Sequence, residues 1–196
     1  MSYVLGLTGP TGSGKGIFSL CARDLGFNVI DCDLVAREAV KKGMPALSAL
    51  TKVFGKDILL ENGELNRKAM ADVAFSSREK TELLNKTVLP FISKMVTERI
   101  NGNFVLLDAP TLFESGIDRI CNKTVAVLAP ADLRKKRIIE RDGLDISAAN
   151  ARISAGKPDE FYRENADKIF INGNDIDSFT KTVKIYLEDI IGGNFQ

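Results

Sequence analysis

Apolar residues along this chain follow two rhythms. Short continuous runs at Tyr3 to Thr8, Phe27 to Ile30, Phe104 to Leu107, Thr124 to Leu128 and Lys168 to Ile171 read as strands. The third and fourth are apolar enough to be buried on both faces of a sheet. Other segments repeat every three or four residues. Lys15 to Leu25 aligns Ile17, Phe18, Cys21, Ala22 and Leu25 on one helical stripe and stops at Gly26. Asp175 to Ile190 brings Ile176, Phe179, Val183, Leu187 and Ile190 close to one face of a closing helix.

Between the second and third strands the pattern is helical. Leu34 to Val40, Ala46 to Phe54, Arg67 to Phe75 and Arg78 to Ile100 read as helices punctuated by Gly43, Pro45, Gly55 and Gly63. Pro90 predicts a kink or break in the last of them, because it lacks the amide hydrogen and crowds the preceding turn. Ala131 to Arg141 and Ile146 to Ala155 add two more helices. Strand, glycine loop, helix, strand opens a parallel α/β sheet, so the expectation is such a sheet carrying a helical insertion after its second strand.

Composition narrows the chemistry. The chain has 196 residues, 44% of them apolar and 27% charged, as in ordinary globular domains. Lysine plus arginine number 27 against 26 acidic residues, which gives no electrostatic support for nucleic acid as the main partner. There is no histidine, so serine–histidine triads, histidine metal sites and histidine acid–base catalysis are all excluded, and a general base falls to a carboxylate or something less usual. Cys21, Cys32 and Cys121 form no zinc or disulfide pattern, which favours a reducing, cytoplasmic setting. No apolar run approaches membrane-spanning length, so no membrane role is expected.

The first loop carries the strongest chemical signal. Gly9-Pro10-Thr11-Gly12-Ser13-Gly14-Lys15 fills seven positions of the eight-residue phosphate-binding pattern, between a buried strand and a helix start. Its glycines let amide hydrogens turn toward phosphate oxygens, and Lys15 supplies a charge for the β- and γ-phosphates. A tight turn with an exposed lysine is the bland alternative. The eighth position, normally a magnesium-binding Ser or Thr, is Gly16. Either water takes the ligand place or catalysis is weakened. A glycine inside the helix also costs about 1 kcal/mol relative to alanine.

Carboxylates at strand ends supply candidates for the remaining roles. Asp31 and Asp33 follow the second strand. If its alternation continued, both would face one side. Asp33 is then the expected base toward an attacking hydroxyl, with Asp31 in support, and helix capping is the competing reading. Asp108 ends the third strand and, like Asp31, could hold magnesium through water. Glu114 either binds an acceptor or orders its loop. In the basic helix, Arg134, Arg137 and Arg141 share a face, and Arg141 is the expected stabiliser of charge on a transferring phosphoryl group. Arg152 is a candidate second phosphate contact.

Together these motifs resemble the dephospho-coenzyme A kinase family over nearly the full chain. The resemblance lies in Gly6-Leu7-Thr8-Gly9 through Gly14-Lys15, in Asp31-Cys32-Asp33 with Leu34-Val35-Ala36-Arg37, in Asp108 through Glu114, and in Arg137 to Asp142 with Arg152-Ile153. It implies ATP-dependent phosphorylation of the ribose 3′-hydroxyl of dephospho-coenzyme A, with Mg2+. It implies a three-layer P-loop kinase fold with a mostly parallel five-stranded sheet. The nucleotide core would take residues 1–33, 101–133 and 158–196, a helical acceptor domain 34–100, and an arginine-bearing lid 134–157. It places ATP on Pro10 to Ile17, Arg137 and Asn174, and the acceptor on Thr8, Asp33, Arg67, Asp108, Pro110, Leu112 and Glu114. A monomer or weak homo-oligomer is expected. The chain departs from the family pattern at Gly16, at Leu89 (where histidine precedes Pro90), at Gly156 and in the order Asn172-Gly173-Asn174. These departures leave two other readings open, a kinase of another nucleotide-like acceptor and a catalytically weakened binding homologue.

Overall fold

The computed structural model describes residues 2–173 and 175–193. They form two compact units, one comprising Met1–Ile30 with Ile100–Gln196 and the other Asp31–Arg99.

The first unit is built on β1 (Tyr3–Thr8), β3 (Phe104–Asp108), β4 (Lys123–Leu128) and β5 (Lys168–Ile171), with β2 (Asn28–Asp31) along one edge. The strand order is β2-β3-β1-β4-β5. The β1–β3, β1–β4 and β4–β5 pairings are parallel, with Leu5 opposite Leu106 and Leu7 opposite both Asp108 and Val125. Parallel order requires crossovers, and the helices that supply them cover both faces. On one face, α1 (Lys15–Asp24) and α9 (Ile176–Ile191) bury Phe18, Ala22, Val183 and Leu187 against Leu5, Leu7, Val125 and Val127. On the other, α8 (Asp159–Asn165) packs Tyr162 over Ala126 and Leu128, with Phe113 and Phe161 alongside. The three layers make an α/β/α sandwich around a parallel sheet.

Two more helices complete this unit, α6 (Ala131–Asp142) and α7 (Ile146–Ser154). Gly143 ends α6, and the Asp145 carboxylate caps α7 by accepting from the Ala148 amide at 2.7 Å. The closing helix differs from its expected stripe in one place. Ile176 is 54% exposed, and Tyr186 takes a buried position instead.

The second unit is helical: α2 (Cys32–Ala39), α3 (Pro45–Phe54), α4 (Arg67–Ala74) and α5 (Arg78–Arg99). Val35, Leu47, Leu50, Met70, Val88, Ile92 and Val96 are buried. Proline at the first position of α3 and the Asn66 cap on the Ala69 amide start two of these helices. Arg99 pairs with Glu38 to tie α5 to α2. Contrary to the expected break, α5 runs uninterrupted through Pro90. Pro90 is exposed, so water can reach the carbonyl it leaves without a helical partner, while Val88 and Ile92 hold the helix from its buried side. A small antiparallel bridge, Leu59 with Leu65, precedes α4 and was not foreseen. Nor was α8.

Candidate active site

In the first unit the loop from Gly9 to Lys15 leaves β1 and turns into α1. Gly14 stands at the helix start with φ 94°, a left-handed conformation that favours glycine, and a side chain there would strike the Asn172 amide nitrogen at 2.0 Å. Gly12, φ 77°, lies so close to the Arg134 backbone that a Cβ would meet its carbonyl oxygen at 2.8 Å. The loop is therefore fixed by its neighbours as well as by its own turns. Lys15 Nζ curls over it and donates to the Gly9 carbonyl at 2.6 Å and the Pro10 carbonyl at 3.4 Å. Pro10 is buried and Thr11 half-buried. Ser13 is fully buried, and its Oγ makes no hydrogen bond among the described residues. A buried hydroxyl of that kind is costly to leave unpaired, and it suits an acceptor such as a phosphate oxygen. Ile17 packs into the core beneath the loop.

The resemblance implies that the Asn172-Gly173-Asn174 turn lies near the adenine end of ATP, but no local pattern signals the loop-holding role of Asn172. This residue is fully buried, receives no solvent, and donates from Nδ2 to the Ser13 carbonyl at 2.9 Å. Arg137, on α6, completes the strap. Its guanidinium donates to the Gly12 and Ser13 carbonyls at 3.3 Å, to Asn172 Oδ1 at 3.2 Å and to the Gly173 carbonyl at 3.0 Å. Burial holds its pKa below the usual arginine value. Asn174, also expected on the nucleotide, lies outside the described residues.

Arg141 sits one turn further along α6 and is 59% exposed. Its Nε and Nη2 donate to the two oxygens of Asp142 at 2.7 and 2.9 Å, and Arg152 Nη1 reaches the same carboxylate at 2.7 Å. One acid thus gathers two guanidiniums, a spacing suited to a polyanion.

The strand ends contribute as follows. Asp108 Oδ2 accepts from Ser19 Oγ at 2.7 Å. Thr8 is fully buried and spends its hydroxyl on the Pro110 carbonyl at 3.1 Å, which ties β1 to the loop after β3. Leu112 is fully buried beneath Gly6, so its side chain belongs to the core. Glu114 is exposed, and burial pushes the nearby Tyr162 phenol up to about 12, with the Glu114 carboxylate adding to the effect.

In the second unit, Asp31 caps α2 by accepting from the Leu34 amide at 2.9 Å. The helix has already begun at Cys32, so strand alternation does not continue and the same-side argument for Asp31 and Asp33 fails. Consecutive helical residues turn by about 100°, which puts positions two apart on nearly opposite sides. Asp33 is an exposed residue of the first turn. Arg67 opens α4 and reaches the Arg37 carbonyl at 3.5 Å.

Among the described residues no three acidic or sulfur side chains converge into a metal cage. A hard divalent ion held largely by phosphate oxygens and water still fits the first unit. Asp108 offers a hard carboxylate at a strand end, and a Cβ built on Gly16 meets nothing within 4 Å, so there is room for water where a hydroxyl would stand.

The profile of the Dephospho-CoA kinase family matches residues 3–178. A dephospho-CoA kinase of Enterococcus faecalis is 36% identical over 197 residues, covering 98% of this chain and 99% of the relative. Among solved structures, dephospho-CoA kinase from Campylobacter jejuni aligns over 100% of both chains with 27% identity and a TM-score of 0.71. The Thermus thermophilus protein TT1252 aligns over 96% of this chain and 97% of its own, with 28% identity and a TM-score of 0.80. With these matches added to its phosphate-binding loop and parallel sheet, the chain belongs to the dephospho-CoA kinase family, the kinases of the last step of coenzyme A synthesis.

Proposed function

We propose that the chain transfers the γ-phosphoryl group of ATP to the ribose 3′-hydroxyl of dephospho-coenzyme A. The observation that carries this reading is the loop of Gly9 to Lys15, held by Asn172 and Arg137, with a buried unpaired hydroxyl inside it and an ammonium folded across it. Such a loop presents backbone donors already in place for a polyphosphate, and leaves only the Lys15 ammonium to turn toward it.

The acceptor oxygen attacks the γ-phosphorus as the bond to the β,γ-bridging oxygen breaks and ADP leaves. Asp33 accepts the proton of the hydroxyl. Lys15 stabilises charge on the β- and γ-phosphates by moving from loop carbonyls to phosphate oxygens. Arg141 and Arg152 trade part of their pairing with Asp142 for phosphate, and α6 with α7 serves as the lid that excludes water. Arg137 acts one step back, by keeping the loop's shape. Arg67, Pro110 and Glu114 bind the acceptor.

Asp108 would hold magnesium through water, with Asp31 as a second candidate. The ion, when bound, neutralises charge between phosphate oxygens. Among the described residues no disulfide joins Cys21, Cys32 or Cys121, which suits a cytoplasmic setting. The working unit is a monomer or weak homo-oligomer.

The test is a coupled assay of ADP release with dephospho-coenzyme A, and with adenosine, AMP and other nucleosides as competing acceptors. The expected result is ADP release that requires dephospho-coenzyme A, with product phosphorylated at the ribose 3′ position. Release with another nucleoside alone would move the assignment to that acceptor. No acceptor-dependent release at saturating magnesium would remove it.

A further inference from the structure

Ser19 is the only hydroxyl on α1, and it does an unusual thing. A serine inside a helix commonly folds back onto the carbonyl four residues earlier. Ser19 instead donates across to β3, to Asp108 Oδ2 at 2.7 Å. It is 3% exposed and flanked by buried Phe18, Cys21 and Ala22. A hydroxyl among such neighbours is tolerated only when it has a strong partner. Its partner is the carboxylate at a strand end beside the phosphate loop. Ser19 also stands three residues after Gly16, on the same side of the helix.

We propose that Ser19 is a positioning residue for the metal end of the site, and that it compensates for the hydroxyl missing at Gly16. The proposal rests on the nucleotide-binding reading above. With a hydroxyl at position 16, one ligand place belongs to the protein. With Gly16, that place goes to water, and the orientation of bound water depends on the acceptors that receive its hydrogens. Asp108, opposite Leu7 at the end of β1 where the loop begins, offers such an acceptor. An untethered aspartate can turn about two side-chain bonds, and the Ser19 hydroxyl fixes one of its oxygens. Positions 16 and 19 are therefore coupled: loss of the Ser19 hydroxyl matters most when residue 16 is glycine.

The experiment is a double-mutant cycle read by binding. Mn2+ affinity is measured by the electron paramagnetic resonance signal of free ion, with a non-hydrolysable ATP analogue and no acceptor. Ser19→Ala is expected to weaken Mn2+ binding about tenfold, the lower end of what lost outer-shell partners cost. Gly16→Ser is expected to tighten it, and in that background Ser19→Ala should cost less than threefold. Ser19→Cys keeps the volume with a weaker donor and should fall between wild type and alanine. It also keeps the test alive should Ser19→Ala fold poorly by circular dichroism. Equal loss in both backgrounds, or no loss with Ser19→Ala, overturns the proposal. If the wild-type chain fails to bind the analogue at all, the nucleotide reading itself falls, an outcome the same titration distinguishes.

Discussion

Arg137 and Arg141 lie one turn apart on the same helix and are indistinguishable by sequence pattern. Their surroundings make them different tools. Arg137 is partly buried and gives its hydrogens to four oxygens of the loop and of the turn after β5. Arg141 is exposed and gives its hydrogens to one neighbouring carboxylate. Burial lowers the pKa of the first, and the hydrogen bond to Asp142 raises that of the second. A guanidinium spent on backbone carbonyls is part of the scaffold, because leaving them would strand buried acceptors. A guanidinium spent on an exposed carboxylate can exchange that partner for phosphate at small cost. A shared helical face was therefore a sound argument for common direction and a poor one for common function.

The largest expected effect separates the two. Arg141→Ala should lower kcat by about 10²–10³-fold, the usual cost of removing one preorganised donor from a developing charge. Its melting temperature should hardly move, since surface substitutions of this kind fall within about 0.5 kcal/mol. Steady-state kinetics together with calorimetry check both halves. A rise in KM alone, with kcat intact, would demote Arg141 to a contact made equally in the ground state.

Arg137→Ala should show the reverse balance. Stranding several partly buried carbonyls should cost about 2–3 kcal/mol, or roughly 5–10 °C in melting temperature for a chain of this size. Nucleotide affinity should weaken through the loop's loss of shape, and Arg137→Lys should not restore it, because an ammonium lacks the planar fork that spans both loop and turn. If Arg137→Ala melts like wild type yet loses turnover, the assignments of the two arginines are interchanged.

The same distinction explains what could be read from the residues. The phosphate loop was legible because its requirements are contiguous: an apolar strand, glycines at left-handed positions and a helix immediately after. The three central strands were legible because two-sided burial leaves unbroken apolar runs, and the half-buried edge strands because their apolar runs, though short, are still continuous. What escaped depends on partners distant in the chain. Asn172 takes its meaning from Ser13, and Ser19 from Asp108, pairs that no local pattern joins. The short helix Asp159–Asn165 carries Phe161 and Tyr162 as its apolar contacts, too few turns to show a period. Leu112 sits in a loop that reads as ligand-facing, but the absence of a side chain on Gly6 opens a place for it in the core. At Asp31 a local rule did apply, but capping prevailed over strand alternation. Its carboxylate serves the Leu34 amide, and the chain turns helical two residues sooner.

The smallest effect tests whether Arg141 is truly held in exchange. The hydrogen bond from Arg141 comes first, followed by its charge and that of Arg152, in holding the Asp142 carboxyl below the usual aspartate value of 3.8. A pKa lower in the folded than in the unfolded chain means that the pairing contributes fully above the ordinary aspartate range and is lost as pH falls through the folded value. Carbon-detected NMR of the Asp142 carboxyl should therefore show a midpoint below 3.8 in the wild-type chain. Arg141→Ala should move it most of the way back, and Arg152→Ala by less. An Arg152 effect as large as that of Arg141 would make the cluster a symmetric clamp. Near neutral pH the carboxylate is charged in either case, so Asp142 cannot release its arginines by titration. Release must come from a stronger anion, and a triphosphate carrying several charged oxygens outbids a single carboxylate for two guanidiniums.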